Sequence, residues 1–144
     1  DGARPLVTRG VIDACIDGAR RFGACGAAVP VKDTIKRADP DGLVRETPDR
    51  SRLFAIQTPQ AFRFQLLLSA HESAAAGGID ATDDLALLER AGGSVRLVAG
   101  DYRNLKITTP EDLRMAEALA AEVLAEEAPS PRREPRSPLP FRRP

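Results

Sequence analysis

Apolar residues recur at helical spacing in "TRGVIDACIDGARRFG", where Ile12, Cys15, Ile16, Ala19 and Phe22 fall on one side. Thr8 stands where a cap belongs and Gly23 where a helix ends. The pattern then changes. "GAAVPV" is a short unbroken apolar run, which predicts a buried strand small enough in side-chain size for a helix to press close. Polarity dominates the next twenty residues, "VKDTIKRADPDGLVRETPDR". Its centre, "DPDG", is strong turn chemistry, and "DTIKR" and "LVRET" flank it as two arms of a hairpin. Arms this poor in apolar side chains belong to no core, so the hairpin, at about 31–52, is expected to project. "LFAIQTPQAF" reads as strand, loop and helix entry, and "FRFQLLLSAHESAAAG" as a helix closing at Gly77 and Gly78. "ATDDLALLERAG" is a second helix, with Thr82 as cap and Asp83 and Asp84 in its positive first turn. "SVRLVAG" and "NLKI" read as short strands. "TTPEDLRMAEALAAEVLAEE" is the clearest helix, with Thr109 as cap, Pro110 in the first helical position and Glu111 and Asp112 favouring the dipole. Strands alternating with helices predict a layered α/β fold with a largely parallel sheet.

Composition changes this picture at one end. The chain has 144 residues, enough for one domain, with ordinary hydrophobic (42%) and charged (29%) fractions. Its formal charge of zero is uneven. Residues 129–144 carry five Arg and one Glu, leaving 16 basic and 20 acidic residues in 1–128. The body is mildly acidic, which does not favour nucleic-acid binding by it. The segment 129–144 is dominated by Pro and Arg, reads as a disordered tail, and offers a polyanion neither an aromatic platform nor a groove. Cys15 and Cys25 have no metal-ligand partner at useful spacing and make no disulfide framework, so they read as free thiols in a reducing compartment. No apolar run approaches the roughly 18 residues of a membrane helix. A cytoplasmic location is the default.

Four polar clusters stand at element ends, where α/β proteins place their sites: "DGARP", "DTIKR", "DRSRLFAIQTPQ" and "NLKITTPEDL". Asp1 precedes a tight turn and offers a hard oxygen to Mg²⁺, or is simply a turn residue. Arg4 can take a phosphate bidentately, or lie on the surface. Lys106 sits between Leu105 and Ile107. A cation buried in such a strand needs an anion, with Asn104 and Thr108 on its side; alternatively, it faces outward. Arg50 and Arg52 flank Ser51 in a loop, and Pro59 holds Thr58 extended. "TDD" at 82–84 is mostly helix-start chemistry. His71 lies mid-helix with no catalytic partner near in sequence, which fits a surface or packing role. These readings give an α/β domain with a phosphate-friendly edge and no substrate. A phosphate-handling enzyme, a binding module and a dimerisation fragment all stay open.

Taken in order, "DGARP", "PVKDTIKR", "DRSRLFAIQTPQAF", "TDD" and "NLKITTPEDL" resemble the 2-C-methyl-D-erythritol 4-phosphate cytidylyltransferases of the non-mevalonate isoprenoid pathway, over about residues 1–120. The resemblance implies a Rossmann-like nucleotidyltransferase sheet with flanking helices and a projecting β-arm, in a homodimer joined through the arm at about 31–52. It implies transfer of CMP from CTP to methylerythritol phosphate with release of pyrophosphate, with Mg²⁺ as cofactor. Asp1 then matches a residue contacting metal and substrate hydroxyls, and Arg4 an Arg of the same site. Thr34 and Arg50 match arm residues that reach the partner subunit's substrate pocket. Thr58, Thr82 and Lys106 match the rest of the phosphate pocket, and Lys106 also serves the nucleotide phosphates.

The same resemblance marks what these residues lack. The family's N-terminal half carries a first strand, a Gly-rich loop with Arg and Lys, and the cytosine-recognition residues, and "DGARP" normally follows a central strand. The sheet is thus expected to be incomplete at the N-terminus, and residues 1–144 alone to be inactive and poorly stable. "DTIKR" favours methylerythritol phosphate over the sibling ribitol 5-phosphate enzymes, which share "ARP", "TPQ" and "KITTP". A non-catalytic dimerising fragment is the alternative from another class.

Overall fold

The computed structural model describes residues 2–78 and 81–127. Helix α1 (Arg9–Phe22) leads into strand β1 (Ala24–Pro30), and the exposed hairpin β2 (Arg37–Ala38) and β3 (Val44–Glu46) follows. A single 3₁₀ turn (Arg50–Arg52) precedes β4 (Phe54–Phe62), then come α2 (Phe64–Gly77), α3 (Asp84–Arg90), β5 (Arg96–Ala99) and α4 (Pro110–Glu127). The larger sheet has the order β4-β1-β5, with β1 antiparallel to β4 and parallel to β5. The described sheet is therefore mixed rather than largely parallel.

Strand β1 is buried from Ala24 to Val29 because helices cover both its faces. Its side chains alternate as a strand must. Ala27 joins Val11 and Cys15 beneath α1, whereas Ala24 packs with Ala70, Ala74, Leu87 and Leu88 of α2 and α3. Small residues allow this closeness. A Cβ at Gly18 of α1 would stand 2.4 Å from the Cys25 sulfur, and one at Gly26 would stand 2.6 Å from Leu85 Cδ1. A third cluster joins Leu6 to Ala116 and Val123 of α4.

Helix α1 has the ends the sequence predicts. The Thr8 hydroxyl accepts from Val11 N, and Gly23, at φ 95°, donates its N–H to Ala19 O. Its buried side differs from expectation. Val11, Cys15, Gly18 and Ala19 are buried, whereas Ile12, Ile16 and Phe22 are 36%, 40% and 46% exposed. The helix rests on β1 through its narrowest residues, and that contact sets its rotation.

Three further expectations are corrected. "LFAIQTPQAF" is one strand from Phe54 to Phe62. Between the pairs Gly26–Gln60 and Ala28–Ile56 the register shifts, and the cis Thr58–Pro59 peptide lies inside that irregularity. Proline, which has no N–H for a ladder, is accommodated there without ending the strand. The cap of α3 is Asp83, whose carboxylate accepts from Ala86 N, and not Thr82. "NLKI" forms no strand: the Asn104 side chain donates to Thr58 O and Gln57 Oε1, and Ile107 N donates to Ala3 O instead of a ladder. Thr109 does cap α4, in a reciprocal pair in which Asp112 N donates to its hydroxyl and Thr109 N to Asp112 Oδ2. The hairpin turns at Gly42, with φ 87°, and is held by ion pairs of Arg37 with Glu46 and Arg45 with Asp39. The tail at 129–144 lies outside the described residues.

Candidate functional site

The parallel strands β1 and β5 deliver their following segments to one edge of the sheet, the carboxyl edge where open α/β sheets hold ligands. From β1 comes the base of the arm, and from β5 the loop 100–107. The two touch. Tyr102 donates its hydroxyl to Pro30 O at 2.7 Å, and the Lys32 ammonium lies 3.6 Å from the centre of the Tyr102 ring.

The loop 100–107 is built on a buried amide pair. Gln57 of β4 is 6% exposed; its Nε2 donates to Asp101 O at 2.8 Å, and its Oε1 accepts from Asp101 N. Only glycine fits before it, because a Cβ at Gly100 would stand 2.4 Å from that Oε1. Asn104 is fully buried and donates through Nδ2 to Thr58 O at 2.8 Å and Gln57 Oε1 at 3.3 Å. Arg103, outside this pair, forks onto Asp101 and onto Glu126 of α4. These carboxylates hold its guanidinium protonated beyond the ordinary arginine range, first through the hydrogen bonds to Glu126 and then those to Asp101.

Arg4 reaches this structure from the chain's beginning. It is half-buried, donates Nη1 to the Asn104 carbonyl at 2.5 Å, and is lowered below the usual arginine range by burial. Its Nε and the Asn104 Oδ1 are buried with no partner among the described residues. Asn104 thus touches both Arg4 and Thr58. Lys106, two residues on, is exposed, outside any strand, with no ion pair or hydrogen bond among the described residues. The shared strand face proposed for Asn104, Lys106 and Thr108 is therefore overturned.

Thr34 and Arg50 line one cleft of about 670 Å³ at the base of the arm, with Val31, Thr47 and Phe54. Arg50 Nη1 donates to Lys32 O at 2.6 Å. Asp49 receives the Ser51 hydroxyl and backbone N–H, and those bonds hold its carboxyl below the usual carboxylate range. Thr82 is exposed beside the α3 cap, and that turn is tied to β4 because Gln60 Nε2 donates to Asp83 Oδ2 at 2.9 Å. Asp1 lies outside the described residues. His71, without a partner nearby in sequence, meets Asp84 in space at 3.0 Å, at a second cleft between α2 and α3.

Residues 1–122 match the family described as IspD, 2-C-methyl-D-erythritol 4-phosphate cytidylyltransferase. The chain belongs to that cytidylyltransferase family. A cytidylyltransferase from Desulforamulus reducens is 55% identical over 118 residues, 82% of this chain and 50% of the relative. The chain therefore spans about half the length of the curated relatives it matches. Among solved structures, the Thermus thermophilus enzyme superposes with a TM-score of 0.74 at 39% identity, over 83% of this chain and 58% of that one. The 4-diphosphocytidyl-2C-methyl-D-erythritol synthase of Anaerococcus prevotii gives 0.77 at 37%, over 84% and 56%. The Rossmann-like assignment agrees with these likenesses.

In the cytidylyltransferase frame, the structure brings Arg4, Thr58 and the Lys106 loop together through Asn104, and Thr34 with Arg50 in the arm cleft. Sequence reasoning missed Gln57, Gln60, Tyr102 and Asp101. Gln57 and Gln60 are visible as the polar positions flanking "TP" in an otherwise apolar strand, which is a signal for buried amides. Asn104 is legible as a polar residue of the site, but it stands on a loop rather than the expected strand.

Proposed function

We propose that this chain provides the polyol-phosphate half of an enzyme that transfers CMP from CTP to 2-C-methyl-D-erythritol 4-phosphate, giving 4-diphosphocytidyl-2-C-methyl-D-erythritol and pyrophosphate. The observation that carries the reading is the family match over residues 1–122, the span that holds Arg4, Thr34, Arg50, Thr58, Thr82 and Lys106. The substrate phosphate attacks the α-phosphorus of CTP in line, and pyrophosphate leaves. No covalent enzyme intermediate is needed. The protein's task is to position two anionic groups and neutralise their charge. Arg4 and Arg50 offer planar forks suited to phosphate oxygens, Lys106 a mobile cation, and Thr34, Thr58 and Thr82 hydroxyls. In this reading Arg50 exchanges its bond to the Lys32 carbonyl for the substrate phosphate.

The arm joins two copies in the proposal, so that Thr34 and Arg50 serve the partner's pocket. Exposed Ile35, Leu43 and Val44 on the hairpin support this. Mg²⁺ is expected with the triphosphate. Among the described residues no group of three or more His, Cys, Asp or Glu gathers to hold a metal, and Asp1 lies outside them. Among them, too, no helix is long and apolar enough to cross a membrane. A cytoplasmic reaction goes with the nucleotide substrate.

The test is pyrophosphate release from CTP by the full-length gene product, with methylerythritol phosphate and ribitol 5-phosphate compared. A preference for the first of tenfold or more in kcat/KM is expected. A preference for the second reassigns the substrate, and release with neither returns the chain to the dimerising-fragment reading, which light scattering with and without the arm then examines.

A further inference from the structure

We infer that Asn104 is a positioning residue for the polyol-phosphate site, acting through Arg4 and Thr58. This rests on the proposed cytidylyl transfer. Asn104 bonds to both Arg4 and Thr58: its carbonyl receives Arg4 Nη1 at 2.5 Å, and its side-chain amide donates to Thr58 O at 2.8 Å. A third bond, to Gln57 Oε1, fixes the amide's orientation, because both of its hydrogens face acceptors. The side chain is fully buried.

The geometry transmits position in a definite way. Arg4 is attached to a backbone carbonyl, and that carbonyl is held in place by the Asn104 amide bonded to β4. Removing the amide leaves the Thr58 and Gln57 acceptors without this donor and loosens the middle of the segment 101–107, which carries Lys106, between its remaining ties at Asp101 and Ile107. Arg4, the Thr58 hydroxyl and Lys106 would then lose their common reference, although none of the three has been altered. Misplacement of this kind is read mainly on the polyol phosphate, through Arg4 and Thr58, and only through Lys106 on CTP.

The experiment compares wild type with Asn104→Ala and Asn104→Ser in the full-length gene product, at a temperature where circular dichroism shows each folded. The kcat/KM for methylerythritol phosphate should fall about 10- to 100-fold while KM for CTP changes less than about twofold. In an Arg4→Ala background the further loss from Asn104→Ala should be much smaller, because one pathway is already broken. A separate readout needs no turnover: the ¹⁵N–¹H signal of Arg4 Nε should shift and broaden in both variants. Parallel losses for the two substrates, full additivity with Arg4→Ala, or an unmoved Arg4 signal would each overturn the inference. An inactive wild type sinks the proposed function instead, and the Arg4 signal still decides the role of Asn104. Should Asn104→Ala not fold, Asn104→Ser, which fills more of the site with a hydroxyl, carries the same measurements.

Discussion

Replacing Gly18 by Ala tests whether the closeness of α1 to the sheet is what the fold depends on. Alanine is the better helix former by about 1 kcal/mol, so a helix free to adjust would gain stability. Here the new methyl would stand 2.4 Å from Cys25 Sγ and 2.9 Å from Cys25 Cβ, with Val98 Cγ1 at 3.5 Å. Ordinary contacts begin near 3.5 Å, so α1 must withdraw by roughly 1 Å. The withdrawal loosens Val11, Cys15 and Ala27, all fully buried. Overpacking of that kind costs about 1–3 kcal/mol, at the upper end where no neighbour is flexible. The net expectation is a loss of about 1–2 kcal/mol, or a melting temperature about 2–8 °C lower. Arg4 lies just before the Thr8 cap, so the same displacement should also raise KM for the polyol phosphate. The assay is thermal and urea unfolding of the full-length gene product, with Cys25→Ala as a second substitution. Removing the sulfur leaves the 2.9 Å contact with Cys25 Cβ and the ordinary one with Val98, so the double variant should recover at least about 0.5 kcal/mol relative to additivity. A melting temperature equal to or above wild type in Gly18→Ala would refute the packing argument.

Other perturbations reach other parts of the structure. Arg103→Met separates Asp101 and Glu126 and leaves Asp101 largely buried without its guanidinium, which should cost about 1–2 kcal/mol by urea unfolding. Asp112 is held below the ordinary carboxylate range by the Thr108 N–H and hydroxyl and the Thr109 N–H. Its contribution is therefore present above its unfolded value near pH 4 and lost as pH falls through the lower folded value; Asp112→Asn should be less stable than wild type at pH 7 and approach it on acidification. The hydrogen bond with Cys25, and then burial, push the Cys15 thiol up, so peptide mapping after iodoacetamide should find Cys15 unmodified in native protein and alkylated after unfolding.

Much of the layout is legible in the sequence because it rests on local chemistry. Thr8, Gly23, "DPDG", Thr109 and Pro110 each satisfy or refuse particular backbone groups, and the elements begin and end where they say. The rotation of α1 is not legible. Ile12 and Ile16 make the more apolar stripe, but Gly18 is the position that can meet Cys25, and steric fit overrules hydrophobicity there. The "TPQ" segment misleads for a related reason: proline and polar residues signal a loop, yet an irregular pairing with β1 can carry them inside a strand. Site residues are legible as types at element ends. Their grouping is not, since it depends on what the buried amides of Asn104 and Gln57 bond to, and a sequence that marks Gln57 as a polar position in an apolar strand does not name its partners.

The two groups of site residues are held by different physics. Arg4 and Thr58 are fixed by buried amides, whose loss is expensive and whose position is correspondingly narrow. Thr34 and Arg50 stand on an exposed arm with little apolar burial, joined to the core by Arg50 with Lys32 O, Lys32 on Tyr102, and Tyr102 with Pro30 O. Exposed contacts of this kind each contribute little and yield readily. In the proposed dimer a phosphate would therefore meet the preset wall of one copy and the adjustable arm of the other. For the proposed reaction that difference sets an order of events: the substrate would dock against Arg4 and Thr58 of one copy, and the other copy's arm would close on it, Arg50 trading the Lys32 carbonyl for a phosphate oxygen. Loosening the arm at Tyr102 should then weaken substrate binding while leaving the Arg4 signal unmoved, whereas loosening Asn104 should move both.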